Sequence, residues 1–388
     1  MGFTAKMDHL YTTPLLILII IVMLLSSCNR RSRQSGRNQL DWLAEGSAQF
    51  IPADHAYIQY FGRWDLSNPQ QPSHSWPGVY LKLKFRGNRI GIRIADEINY
   101  YNVYVDGNFH SIFHGDQPGE ADYLLVDNLK DGPHLLELSK RNISFGRYFS
   151  IAGFWLTKSA ELLPPPPMPS RKIEFIGDSF TAAEGNEATL TEMPWEEKMP
   201  VTNIDQGFAA IVARHFQAQY QTTCRSGIGM VCDWTGDREI AMPKMFDRTL
   251  MDFPEPKWDF QKWQPDLAVI CLGLNDFSGL KDQDGNISSA NSVLFRKTYH
   301  EFIATVRRVY PGVKILAVAA HPEWIRQHVS RVVAEEKKSG RRDIDYAQFD
   351  YFPDGYVANG HPNVETHHKI AKQLIEAISI IGIFKDSQ

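Results

Sequence analysis

The sequence predicts an α/β chain in two unlike halves: an N-terminal antiparallel β-sandwich, then a parallel sheet covered by helices. Three observations carry this. Apolar residues alternate with period two before residue 160, the signature of strands with one buried face. After residue 170 short apolar runs alternate with segments of helical spacing, the pattern of a parallel sheet with crossover helices. Between them stand Pro164, Pro165, Pro166, Pro167 and Pro169, a stiff stretch that suits neither a helix interior nor a central strand. The length of 388 residues fits two domains at roughly 150 residues each. A hydrophobic content of 43% with 22% charged residues supplies material for both cores. Lys and Arg number 41 against 45 Asp and Glu, a net charge of -4. That balance argues against nucleic acid as a partner, which calls for a basic surplus.

The elements follow in chain order. Val79, Leu81, Leu83 and Phe85 alternate with Tyr80, Lys82, Lys84 and Arg86, and Gly87 and Asn88 then lead into Ile90, Ile92 and Ile94. This reads as a hairpin with one buried face. Tyr101, Val103 and Val105 run into Asp106 and Gly107, a pair suited to the positive φ angles of a type I′ turn, so a second hairpin is expected there. Residues 124–127, 135–138 and 151–156 supply further short strands, and the whole reads as an all-β sandwich. Past the prolines, Ile173, Phe175 and Ile176 form a strand, and Phe208, Ile211, Val212, His215 and Phe216 have helical spacing. Residues 267–272 form a strand buried on both faces; Tyr299, Phe302, Ile303, Val306 and Val309 mark a helix. A strand over 314–319, a helix over 323–338 and a last helix striped by Ile370, Leu374, Ile375 and Ile378 complete the series. The expected limits are a signal peptide over 1–27, a tether over 28–45, the sandwich over 46–160, a linker over 161–170 and the second domain over 171–388.

The leader rests on an uninterrupted apolar run of eleven residues, Leu15 to Leu25, the length of a signal-peptide core and short for a membrane span. It ends in Leu25, Ser26, Ser27 and Cys28, which resembles the bacterial lipobox and implies a lipidated Cys28 anchoring the chain at the cell envelope. Arg30, Arg31, Arg33 and Arg37 follow closely, and by the positive-inside rule they favour the alternative of an uncleaved anchor. The remaining cysteines are Cys224, Cys232 and Cys271. In an oxidising compartment Cys224 and Cys232 are the pair to form a disulfide, while small buried thiols read equally well.

The chemistry collects where parallel strands end, the place where open α/β sheets build their sites. The first such strand runs into G-D-S-F-T-A-A-E-G-N, which presents Ser179. Ser226, Gly227, Ile228 and Gly229 follow the second strand, Gly273, Leu274, Asn275 and Asp276 the third, and Asn359, Gly360, His361 and Pro362 precede the last helix. A serine nucleophile, a histidine base and uncharged donors for an oxyanion are what ester hydrolysis requires. Each residue alone has a plainer reading: a cap for Ser179, a turn brace for Asn275, a tight bend for Gly227.

Taken together and in this order, the four positions resemble the SGNH, or GDSL-type, serine esterases. Ser179 matches the nucleophile block, Gly227 the oxyanion glycine, Asn275 the block-three asparagine and His361 the final histidine. With a β-sandwich ahead of it, the chain is most similar to carbohydrate esterase family 2. That resemblance implies a jelly-roll-like sandwich followed by a flavodoxin-like domain, and removal of acetyl groups from plant polysaccharide such as xylan or glucomannan. Ser179, Gly227 and Asn275 would hold the oxyanion, with no cofactor. A lipase-like or peptidoglycan O-acetylesterase is the neighbouring alternative, and a glycan-binding lipoprotein without activity the distant one. Where many relatives carry an aspartate two or three residues before the histidine, this chain has Asn359 and Ala358. The Asn359 amide oxygen, a backbone carbonyl or Asp354 is then left to orient His361. Ala183 stands at a position that is often glycine.

Asp178 and Asp276 read as backbone-bonding residues. Trp195, Trp234, Trp258, Trp263 and Trp324 lie in the second half, where packing is the default and stacking on a sugar ring the alternative. No metal is expected, because adjacent His367 and His368 point differently on a helix and no H-E-x-x-H or paired C-x-x-C occurs. The sandwich shows no site of its own.

Overall fold

The computed structural model describes residue 43 and residues 46–384. The leader, Cys28 and most of the tether lie outside the described residues. The N-terminal half holds strands β1 (Ala48–Pro52), β2 (Ile58–Phe61), β3 (Trp64–Asp65), β4 (Ser73–His74), β5 (Tyr80–Arg86) and β6 (Ile90–Ala95). It continues with β7 (Tyr100–Val105), β8 (Asn108–His114), β9 (Glu120–Val126), β10 (Pro133–Lys140), β11 (Phe149–Thr157) and β12 (Glu161–Leu163). They form two antiparallel sheets. One runs β3-β4-β11-β6-β9 with β1 also on β11, the other β12-β5-β10-β7-β8 with β2 also on β5. Asp106 and Gly107, at φ 53° and 78°, close the β7–β8 hairpin that the sequence predicts.

The other predicted hairpin is not one. β5 and β6 belong to different sheets, so Gly87 and Asn88 carry the chain across the sandwich. The alternation is right but the pairing is not: Leu83, Phe85, Ile90 and Ile92 are all fully buried and face one core from opposite sheets. The sandwich also extends beyond its expected limit at residue 160. Glu161–Leu163 pairs with β5 and takes the first residues assigned to the linker.

The C-terminal half comprises β13 (Lys172–Gly177), α1 (Trp195–Lys198), α2 (Phe208–His215), β14 (Gln219–Cys224), α3 (Met242–Met245), β15 (Leu267–Cys271) and α4 (Leu274–Gly279). Then come α5 (Ser289–Val309), β16 (Lys314–Ala319), α6 (Glu323–Lys338), β17 (Ile344–Gln348), β18 (Tyr356–Val357), β19 (His361–Pro362) and α7 (Val364–Ile381). α5 starts where Ser288 accepts a hydrogen bond from Asn291 N at 3.1 Å and buries Phe295, Tyr299, Phe302, Ile303 and Val306 on one stripe. Asn363 caps α7 in the same way, and Gly382 at φ 70° ends it. The parallel strands lie in the order β14-β13-β15-β16-β17. Numbered within this half the order is 2-1-3-4-5, so the chain reverses direction beside β13 and opens a crevice at the carboxyl ends of β13 and β15.

The two halves share one interior. A single apolar cluster runs from Leu81 and Phe85 in the sandwich to Ile176 and Ile270 in the parallel sheet. The proline segment is strapped to both sides, its Pro166 carbonyl accepting from Gln59 Nε2 at 3.0 Å and that of Pro169 from Gln219 Nε2 at 2.5 Å. Polar bonds cross the seam as well. Asn102 Nδ2 donates to Asp205 at 2.7 Å, Ser139 Oγ to the same carboxylate at 2.9 Å, and Arg141 Nε to the Thr202 carbonyl at 3.2 Å. Arg63 of the sandwich inserts into the second half and pairs with Glu174, in the middle of β13, at 3.0 Å.

Candidate active site

Ser179 follows β13 by two residues and sits in a succession of tight turns in which Ala182 N donates to Asp178 O at 3.0 Å and Glu184 N to Ser179 O at 3.0 Å. The side chain is buried but borders a cleft of about 600 Å³ that Gly227, Asn275, Asn359 and His361 also line. Tertiary structure thus brings Ser179, Gly227, Asn275, Asn359 and His361 together around one cleft. The expected absence of a metal site bears on none of this geometry.

Gly227 has φ 79°, a left-handed backbone that glycine adopts without cost. A Cβ there would lie 3.0 Å from the Trp234 ring. Asn275 Nδ2 donates to Ile228 O at 2.8 Å. One amide hydrogen therefore fixes the group while the second stays available. The loop carrying Gly227 is joined to α4, which carries Asn275, by Asp276, whose buried carboxylate accepts from Met230 N at 2.6 Å and Val231 N at 2.6 Å. Burial raises the Asp276 carboxyl to about 6 against those backbone bonds. Asp178, fully buried, accepts from Phe180 N at 3.0 Å and is pushed up to about 7, chiefly by burial, with the nearby Asp276 and Glu184 charges adding to it. Both aspartates bond loop backbone, as the sequence suggested.

His361 lies on the short hairpin of β18 and β19. The turn between them holds Ala358, Asn359 and Gly360 at φ 43°, 66° and 87°, three left-handed residues in a row. That turn is pinned by Ala358 N to Leu190 O at 2.8 Å and Asn359 N to Thr191 O at 2.6 Å. Its geometry aims the Ala358 carbonyl at His361 Nδ1, 2.7 Å away. A carbonyl only accepts, so Nδ1 carries the proton and Nε2 presents its lone pair. The partner of the ring is thus the backbone carbonyl of Ala358, one of the two positions at which the resemblance led to the expectation of an aspartate. Asn359 does not orient the histidine: its amide oxygen accepts from Met193 N at 3.1 Å. Asp354 is exposed to solvent, away from this bond. Gly185 leaves room for the turn, since a Cβ on it would come within 2.4 Å of the Ala358 Cβ.

Four wall residues escaped the sequence reading: Phe145, Glu184, Met193 and Lys198. Phe145, from the loop between β10 and β11, stacks on Trp195 with ring centroids 4.8 Å apart, so the sandwich contributes to the cleft after all. Glu184 lies in the same turn as Ser179 and pairs with Lys198 at 2.8 Å, both nearly buried. Nothing in the sequence marks this pair except the closeness of Glu184 to the serine. Of the five tryptophans, Trp195 and Trp234 line the cleft, and Trp234 is 63% exposed. Trp258 and Trp263 border a separate hollow at the domain seam, and Trp324 packs on Phe295 at 4.9 Å. Cys224, Cys232 and Cys271 are buried free thiols, so the suggested disulfide between Cys224 and Cys232 is absent. Ala183 takes φ 54°, where an L-residue bears about 1–2 kcal/mol of strain that a glycine would not. His367 is fully buried with its Nδ1 accepting from Phe208 N at 3.3 Å, a structural bond rather than a metal contact.

Comparison with known proteins covers both halves. Residues 60–166 match the family model described as carbohydrate esterase 2 N-terminal, and residues 175–369 that of the GDSL-like lipase/acylhydrolase family. A cellulase/esterase, CelE, of Acetivibrio thermocellus is 32% identical over 336 residues, 84% of this chain but 39% of that protein's length. An acetylxylan esterase / glucomannan deacetylase of Cellvibrio japonicus is 28% identical over 80% of this chain and 86% of its own. Among solved structures, a family two carbohydrate esterase from Clostridium thermocellum in complex with cellohexaose superimposes with a TM-score of 0.76 at 30% identity, covering 84% of this chain and 99% of that one.

Proposed function

Because the chain belongs to the GDSL-like lipase/acylhydrolase family and carries the carbohydrate esterase 2 N-terminal domain, we propose that it is a serine esterase that removes O-acetyl groups from carbohydrate, with plant xylan or glucomannan as substrate. The observation that carries this reading is the fixed tautomer of His361. With the Nδ1 proton held by the Ala358 carbonyl at 2.7 Å, Nε2 is left to act as base in the cleft that contains Ser179. His361 takes the Ser179 proton as Oγ attacks the acetyl carbonyl. The Ser179 and Gly227 backbone N–H groups and the free Asn275 amide hydrogen receive the oxyanion. Collapse releases the sugar hydroxyl, protonated by His361, and water repeats the sequence on the acyl-enzyme. Two relatives whose printed names are acetylxylan esterase / glucomannan deacetylase support the substrate class.

The same reading places the chain at the bacterial cell envelope on a lipidated Cys28, with 1–27 removed and 28–45 as tether. The apolar run that ends in Leu25, Ser26, Ser27 and Cys28 supports it. No helix among the described residues is long and apolar enough to cross a membrane. Palmitate labelling that Cys28→Ala abolishes is the expected result, and equal labelling of both proteins refutes the anchor.

The activity is tested by acetate release from acetylated xylan and glucomannan by wild type, Ser179→Ala and His361→Ala. Wild type should release acetate, and each variant should fall at least about 10³-fold, the scale on which such groups act together. Equal release by Ser179→Ala refutes the mechanism. Preference for an octanoyl over an acetyl nitrophenyl ester would move the substrate from carbohydrate acetates to lipids.

A further inference from the structure

The reaction assigned above puts a positive charge on His361, yet the partner of its ring is a neutral carbonyl, which stabilises an imidazolium less than a carboxylate does. A carboxylate stands on the other side. Glu184 Oε1 lies 3.8 Å from His361 Nε2, and Lys198 Nζ is 2.8 Å from that same oxygen. The pair is nearly dry, with 5% of the Glu184 side chain and 10% of Lys198 exposed, and both residues line the cleft. In the resting state Nε2 and the carboxylate are both acceptors, so no hydrogen bond joins them. Once Nε2 takes the serine proton, an attraction appears that was absent before. An interaction that strengthens only as the reaction proceeds is the kind that accelerates it.

We propose that Glu184 is a positioning residue that supplies, from the Nε2 side, the negative charge missing from the Nδ1 side, and that Lys198 holds it off so that Nε2 stays open to Ser179. The inference rests on the esterase reading. The other ionisable groups facing this spot are few. Asp178, next to the serine in the chain, is pushed up to about 7, chiefly by burial, and titrates near neutrality, whereas His367 of α7 is driven down to about 3 by burial and then by the charges of His361 and His368, so it stays neutral. Burial opposes ionisation of Glu184 too, but His361 in its protonated form and the bonded Lys198 outweigh it and hold the carboxyl below its usual range. Lys198, on α1, is the one cation bonded to it among the described residues.

The test is the pH dependence of kcat/KM of the full chain on nitrophenyl acetate, a substrate with no sugar to bind. Glu184→Gln keeps the shape but not the charge. It should lower kcat about tenfold with KM nearly unchanged, and move the acidic limb about one pH unit downward, because the imidazolium has lost a stabilising charge. Lys198→Met frees Glu184 to attract His361 and should move the limb upward. In the double variant E184Q/K198M the upward shift should disappear, since Lys198 acts through Glu184. A Glu184→Gln enzyme with unchanged kcat and limb overturns the proposal, as do shifts of the same sign in both single variants. So does an effect confined to KM on polysaccharide, which would make Glu184 a sugar contact. If Glu184→Gln does not fold, a Lys198→Met enzyme whose acidic limb stays in place or moves downward overturns the proposal. Failure of the esterase reading looks different: wild type itself, or Ser179→Ala as much as wild type, would show no serine-dependent acetate release.

Discussion

Two buried acid–base pairs in this molecule have similar chemistry and different surroundings. Arg63 and Glu174 meet at 3.0 Å with neither side chain exposed. Glu174 Oε1 also accepts from Gln221 Nε2 at 2.8 Å and Thr223 Oγ1 at 2.6 Å. Arg63 donates onward to the carbonyls of Phe246 and Arg248 at 2.5 and 2.8 Å, under the faces of Trp76, Phe246, Trp258 and Phe260. Its charge is consumed by structure. Glu184 and Lys198 are as close, at 2.8 Å, but one side of the carboxylate faces His361 across 3.8 Å. A buried pair is costly to desolvate wherever it sits. At the seam, that cost is offset by bonds tying one domain to the other; in the cleft it leaves a charge next to the imidazole we propose as the base.

Breaking the seam pair should give the largest effect. Arg63→Met strands Glu174 in an apolar interior and should cost about 3–5 kcal/mol, read as a lower midpoint in denaturant. If the sandwich unfolds separately while the second domain stays intact, the shared core is not a cooperative unit. Lys198→Met should cost less, about 1–3 kcal/mol, because Glu184 still has His361 beside it. Equal losses for the two would erase the distinction between the pairs.

The buried aspartates sharpen the same point through pH. Asp178 is raised from the ordinary aspartate range to about 7, so folding favours its protonated form. Stability from this group is complete below about pH 4 and is lost as pH rises through about 7. Asp178→Asn never ionises, so its melting temperature relative to wild type should climb between pH 5 and pH 8. A constant difference across that range contradicts the assignment. The smallest effect on stability belongs to Trp234→Ala, since a side chain 63% exposed should change folding by no more than about 0.5 kcal/mol. Its effect should appear instead as a higher KM on polysaccharide, with nitrophenyl acetate turned over as before.

Much of this was legible in the chain because the signals are local. Period-two alternation in residues 79–94 marks two strands with buried faces, and Asp106-Gly107 marks a turn, since both follow from the geometry of adjacent residues. Ser179, Gly227, Asn275 and His361 could be found because each follows or precedes a recognisable element. Alternation does not say which strand is the neighbour, so β5 and β6 were paired when they face each other across the core.

What the sequence by itself determined is the break between the two halves and the alternation of strands and helices after it, and it singled out Ser179 and His361 as the residues we propose for nucleophile and base. Only tertiary structure decided how His361 is oriented, because a backbone carbonyl has no residue signature and Ala358 becomes an acceptor through three consecutive left-handed residues. Only tertiary structure put Phe145 into the cleft wall, Arg63 against Glu174 111 residues away, and Glu184 beside His361. Local geometry is written in neighbouring residues. Contacts between distant ones are chosen by whichever packing satisfies every buried charge and apolar face at once.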